Sequence, residues 1–256
     1  MISDDDRLAA GLAAEAGQRL LELRANGGDP AALRREGDRR SHEFLTAELA
    51  RLRRGDAVLS EEGADDPARL SASRVWIVDP LDGTREFGEP GRTDWAVHVA
   101  LWEDGELTAG AVALPAEGRT LSTAQPPSVP GSGPSTSRTL KLVVSRTRPP
   151  EFTVRLADEI GAVLVPMGSA GAKAAAVICG AADGYVHSGG QYEWDSAAPV
   201  AVARAAGLHA SRIDGSKLSY NQAPPSVPDI LICRAELADM LLGAIGSAQH
   251  HGQQGP

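Results

Sequence analysis

The sequence predicts a mixed α/β fold, with an α+β N-terminal half and an α/β C-terminal half. Two apolar-striped helical segments lead into short, mostly apolar strand segments over residues 57–123. Strand-like and helix-like segments then alternate from residue 140 to 246. With 256 residues, 42% of them hydrophobic, the chain is long enough to bury substantial cores and is not disordered by composition.

Ser3 before Asp4, Asp5 and Asp6 starts a helix expected over residues 3–25, because acids suit the positive end of the helix dipole. Leu8, Leu12, Ala16, Leu20 and Leu23 form its stripe, and Asn26-Gly27-Gly28 ends it. An arginine-rich loop is expected over 29–37. A second helix follows from Asp38 to about Arg54, with Phe44, Leu45, Leu49 and Leu52 inward. Strands follow at 57–60 and 74–79. Pro80 should stop the second, since it has no N–H to donate. Residues 94–102 form a strand with Trp95, Val97, Val99 and Leu101 on one side, Asp94 opening it. Glu103-Asp104-Gly105-Glu106 is a hairpin turn, and strands at 107–114 and 118–123 complete a meander.

Residues 125–138 are rich in Pro, Ser and Gly and read as a flexible loop dividing the halves, 1–138 and 139–247. Beyond it, strands are expected at 140–145, 162–165, 184–187, 208–211 and 230–233. Helices are expected at 151–160, 169–180, 195–206 and 235–246. The polar tail, 248–256, reads as disordered, and its His250-His251 pair as functionless.

The net charge of −9 argues against a nucleic-acid polymer as partner, which would call for basic stripes, but not against a small phosphate ester. Cys179 and Cys233 are widely spaced in apolar surroundings and read as buried free thiols. No long apolar run and no basic-then-apolar N-terminus is present, so neither a membrane span nor a signal peptide is expected, and the cytoplasm is the expected location.

The chemistry centres on residues 74–87. The apolar strand Arg74 to Val78 runs into Asp79-Pro80-Leu81-Asp82-Gly83-Thr84. A strand end followed by a tight turn can aim both carboxylates at one point, and like charges held that close repel unless a cation lies between them. Carboxylates with turn carbonyls form a hard oxygen site suited to Mg²⁺. Asp-Pro and Asp-Gly are also ordinary turn formers. Two further segments bear on the choice: Ser60-Glu61-Glu62-Gly63 after a short strand, and Trp194-Asp195-Ser196-Ala197-Ala198 opening a helical run.

Together, in this order, these motifs resemble the inositol monophosphatase superfamily of Mg²⁺-dependent, lithium-sensitive phosphatases. The resemblance spans roughly residues 5–245. Asp-Pro-Leu-Asp-Gly-Thr-Arg-Glu-Phe looks most like the bacterial 3′(2′),5′-bisphosphate nucleotidases of sulfate assimilation. It implies the layered αβαβα sugar-phosphatase fold, with the site between the halves. It implies two or three Mg²⁺ ions held by Glu61, Asp79, Asp82, Asp195 and the Leu81 carbonyl. Asp38 and Thr84 would orient and deprotonate the attacking water. Gly83, Thr84, Ser169, Lys173, His187 and Asp195 would meet the substrate, with Ser145-Arg146 bordering the pocket. Many relatives are homodimers.

Each of these residues also has a plainer reading. Asp38 and Asp195 are ordinary helix caps, Lys173 a solvated helix charge, His187 a strand-end histidine, and Arg85 with Glu86 a structural ion pair. The substrate implied is a small phosphorylated nucleotide, with inositol or fructose phosphates as the alternative. The Asp-x-Asp nucleophile pattern of haloacid dehalogenase-type phosphatases is excluded by spacing, since two residues separate Asp79 from Asp82.

Overall fold

The computed structural model describes residues 2–128 and 139–250, the side chain of the last excepted. Helix α1 (Asp4–Ala25) starts where expected, in a capping box in which Asp6 N–H donates to Ser3 Oγ and Ser3 N–H to the Asp6 carboxylate. Helix α2 (Pro30–Leu52) corrects the sequence reading, for residues 30–37 are helix and not loop. The true start signal is Asp29-Pro30. Asp29 accepts the Ala32 N–H at 2.8 Å, and proline at the first position loses no hydrogen bond. Gly37 lies inside the helix, where a Cβ would stand 2.9 Å from Phe87 and 3.0 Å from Leu81. Leu45 and Leu49 are buried as expected, whereas Leu52 is 36% exposed.

The first sheet has the order β1 (Ala57–Ser60), β2 (Arg74–Asp82), β3 (Ala96–Glu103), β4 (Glu106–Leu114), β5 (Arg119–Ser122), with β1 parallel to β2 and the rest antiparallel. The two-residue turn Asp104-Gly105 has positive φ at both positions, which matches strand twist. A five-residue helix, α3 (Thr84–Gly88), follows β2.

The second half contributes β6 (Lys141–Ser145), α4 (Phe152–Ile160), β7 (Val163–Met167), α5 (Ala170–Ile178), β8 (Gly184–Tyr192), α6 (Glu193–Ala205), β9 (His209–Ser211), β10 (Ser226–Cys233) and α7 (Ala238–His250). Its sheet order is β7-β6-β8-β10-β9. Two boundaries differ from expectation in a way that matters: β8 runs on to Tyr192, and α6 begins at Glu193. Part of the predicted tail is also ordered, because 248–250 finish α7 and Ala248 is buried; residues 251–256 lie outside the described residues. Most of the predicted loop, 129–138, also lies outside them.

Side-chain alternation builds five layers. Trp95, Val97, Val99 and Leu101 face α1 and α2 in one core with Ala16, Leu20, Leu45 and Leu49. The opposite face, Ala96 and Ala100, joins Ala174, Val177 and Val200 of α5 and α6, and beyond them Tyr185, Ile230 and Ile232 of the second sheet, in one continuous core. Leu156, Leu241 and Ile245 of α4 and α7 close the outer face of that sheet against Leu142, Val186 and Leu231. The order is therefore helix, sheet, helix, sheet, helix.

Candidate active site

The strand bearing Asp79 does not stop at Pro80. It continues to Asp82, but Asp79 pairs with His98 and Asp82 with Ala96, so three steps on β2 oppose two on β3. This is a bulge, the place where an interior proline is tolerated. Residues three apart on a regular strand point to opposite faces, and the extra residue brings Asp82 round to the side of Asp79. Ser41 Oγ donates to the Pro80 carbonyl at 2.7 Å, and Leu81 N–H to Asp79 Oδ1 at 3.1 Å, which pins the bulge.

Asp195 completes the group from the first turn of α6. It is the third helical residue and not the cap, and its Oδ2 accepts the Tyr192 N–H at 2.7 Å. One oxygen each from Asp79, Asp82 and Asp195 lie within 4.8 Å of one another. Glu61 lies outside that trio but shares a hydrogen bond with Asp79. Desolvation and mutual repulsion push Asp79 well up, Glu61 to about 7 and Asp195 to about 6. Such a cluster of all-oxygen donors fits a hard divalent cation, which would relieve the repulsion.

Asp82 behaves differently. Burial raises its pKa, but neighbouring donors overcome this and hold it at about 2. His98, whose Nε2 lies 3.2 Å from Oδ2, acts chiefly by its charge, and the hydrogen-bond donors are Ser169 Oγ at 2.5 Å and the N–H groups of Ala170 at 3.0 Å and Gly171 at 2.6 Å. The Asp82 carboxylate thus rests on the N-terminus of α5. Oδ1 takes only the Ala170 N–H and keeps a lone pair for ligation. Sequence reasoning missed His98, which is fully buried and whose Nδ1 lies 3.0 Å from the Trp194 carbonyl. A histidine in an otherwise apolar strand was the available signal. Gly171 makes room for it, as a Cβ there would sit 2.2 Å from Nε2.

Asp38 is not a cap. It lies past the second turn of α2 and reaches Thr84, whose hydroxyl lies 3.2 Å from Asp38 Oδ1 and 2.9 Å from the Leu81 carbonyl. One hydroxyl hydrogen serves these two acceptors alternately. Burial and the charge of Glu62 push Asp38 up to about 6, against the hydrogen bond from Thr84. Gly83 caps α3 at φ +83°, packed within 3.2 Å of the Asp94 carbonyl and Trp95 Cα at the position a Cβ would take.

The cleft beside these groups has a volume of about 620 Å³. Ser169, Lys173 and His187 line it, but each has a partner inside the protein. Lys173 is buried and donates to the carbonyls of Gly168 and Ser169 at 2.6 and 2.7 Å. His187 Nε2 lies 3.1 Å from the Gly190 carbonyl. Ser145 and Arg146 border the cleft as expected. Glu86 accepts from Arg146 at 2.6 Å, joining α3 to the second sheet, while Arg85 is exposed on the cleft wall. Asp94 accepts from Arg92 and from Gly168 N–H at 2.7 Å. A second network missed in the sequence joins Glu193 to the N–H groups of Asn221 and Gln222, both at 2.7 Å, and Asn221 to buried Arg69. It ties the segment after Glu61 to the start of α6. Among the described residues no helix is long and apolar enough to cross a membrane. Cys233 is buried and Cys179 half-buried, both free thiols.

The profile of the inositol monophosphatase family matches residues 6–249. A protein of Mycobacterium tuberculosis named 3′-phosphoadenosine 5′-phosphate phosphatase is 54% identical over 248 residues, 91% of this chain and 90% of that one. A protein of the same name from Mycobacterium leprae is 52% identical over 255 residues, 94% of this chain and 93% of that one. The solved structure of an IMPase from Thermotoga maritima aligns with a TM-score of 0.77 over 97% of this chain and 99% of that one; at 20% identity this is a likeness of fold.

Proposed function

The chain belongs to the inositol monophosphatase family, and from that premise we propose that it is a Mg²⁺-dependent, lithium-sensitive phosphomonoesterase of sulfate assimilation. It removes the 3′-phosphate of adenosine 3′,5′-bisphosphate, and of the corresponding 5′-phosphosulfate. The observation that carries the hydrolytic reading is the convergence of the Asp79, Asp82 and Asp195 trio and the Asp38–Thr84 pair on the segment 79–84, which supplies Asp79, Asp82 and Thr84. The nucleotide preference is supported by the likeness, over nearly the whole chain, to the mycobacterial phosphatases.

Glu61, Asp79, Asp82, Asp195 and the Leu81 carbonyl are the groups that would hold Mg²⁺, which when bound neutralises phosphoryl charge and acidifies water. The protein's own part is proton handling and orientation. The Leu81 carbonyl would be a ligand of the bound ion, and the Thr84 hydroxyl has Asp38 Oδ1 at 3.2 Å as its other acceptor. Its oxygen is then free to take a hydrogen bond from the attacking water. An ionised Asp38 receives the proton by relay through Thr84, which is general-base catalysis. Gly83 and the first N–H groups of α3 lie beside these groups and favour an anionic phosphoryl oxygen. Ser169 and Lys173 act on the substrate chiefly by holding Asp82 and the cleft wall.

The deciding experiment is phosphate release with Mg²⁺ from adenosine 3′,5′-bisphosphate, inositol 1-phosphate and fructose 1,6-bisphosphate, with and without lithium. The expected result is a preference of about 100-fold in kcat/KM for the nucleotide, about 2.7 kcal/mol of differential transition-state binding. Comparable rates on all three would replace the nucleotide reading with a broad inositol and fructose phosphatase.

A further inference from the structure

Tyr192 is 53% exposed, an unusual state for an aromatic side chain that lines a buried-acid cleft. Its ring stacks on Trp194 with centroids 4.6 Å apart and planes 12° from parallel. Trp194 in turn packs against the central core. One face of Tyr192 is therefore held from beneath and the other is open. The backbone of the same residue is fixed as well, since its N–H donates to the Asp195 carboxylate. The open ring thus stands at a set distance from the candidate metal trio.

The surroundings leave space for a flat ligand. Gly189 and Gly190 line the same cleft in the left-handed region, φ +102° and +85°, and nothing lies within 4 Å of where a Cβ would stand on either. Gln191 also borders the cleft, but both polar atoms of its amide are buried away from it.

We propose that Tyr192, backed by Trp194, is the platform on which the purine base of the substrate stacks. This rests on the nucleotide reading above and names the residue that makes the site a nucleotide site. A sugar phosphate has no base to stack and gains nothing from the platform.

The test compares Y192A, Y192W and wild type on adenosine 3′,5′-bisphosphate and on ribose 3,5-bisphosphate, which carries the same two phosphates and no base. In Y192A, KM for the nucleotide should rise about 10-fold, equivalent to about 1.4 kcal/mol, within the range of base–aromatic stacking. Its kcat should change little, KM for the base-free compound should stay within about twofold, and Y192W should retain the wild-type KM. A nucleotide preference that survives intact in a folded Y192A protein overturns the platform alone. Equal treatment of the two compounds by wild type overturns the nucleotide reading itself, and the platform with it.

Discussion

Asp38 is the residue on which the pH response of the site turns. Burial and Glu62 hold its pKa at about 6, so it is mostly protonated below that pH and ionised above it. A protonated Asp38 cannot receive the Thr84 proton. Activity should therefore rise as pH increases through about 6, and a kcat/KM profile will show this acidic limb. D38N should lower kcat by roughly 100-fold or more, the usual scale for a lost general base, and should remove the limb. A profile in D38N with the same limb and near-normal kcat would assign the relay elsewhere. Asp38 was legible in the sequence only by resemblance. Its position inside a helix, aimed at Thr84, depends on packing that no local pattern records.

At the scale of elements, α2 meets β2 and α3 through Gly37. Glycine in an exposed helix interior is usually worth replacing, since alanine gains about 1 kcal/mol in propensity. Here a Cβ would stand 2.9 Å from Phe87, 3.0 Å from Leu81 and 3.3 Å from Leu20. Overpacking of this kind costs about 1–3 kcal/mol, so G37A should destabilise the protein, and its urea midpoint should fall and not rise. The helix starts earlier than the sequence reading places it, because Asp29-Pro30 and not Asp38 carries its start signal. The β2 bulge was illegible, because proline is a breaker until the strand beside it supplies one residue fewer. Long periodic features fared better. The α1 stripe, the meander and the strand-helix alternation were all visible, since hydrophobic period is set by burial on one face.

For the whole molecule, the raised acids make a stability prediction. Glu61, Asp79 and Asp195 have folded pKa values above their unfolded ones, so the unfolded chain ionises them first. Metal-free protein has the full benefit below about pH 4 and loses it as pH climbs through about 6 to 7. Cation binding relieves the same repulsion and also stabilises by mass action. The rise in Tm on adding Mg²⁺ should therefore be larger at pH 8 than at pH 5, as differential scanning calorimetry can measure. An equal rise at both would mean that Glu61, Asp79 and Asp195 are not where the cation acts.

The core that runs from the first sheet through α5 and α6 into the second has its own consequence for motion. Residues from both sides of the cleft share that one apolar interior. A hinge needs two bodies with a weak seam, and here the seam is filled by buried apolar side chains that both sides share. The cleft is accordingly a fixed mouth and not a jaw. Ligands should enter and leave by diffusion, without a slow closing phase in stopped-flow traces.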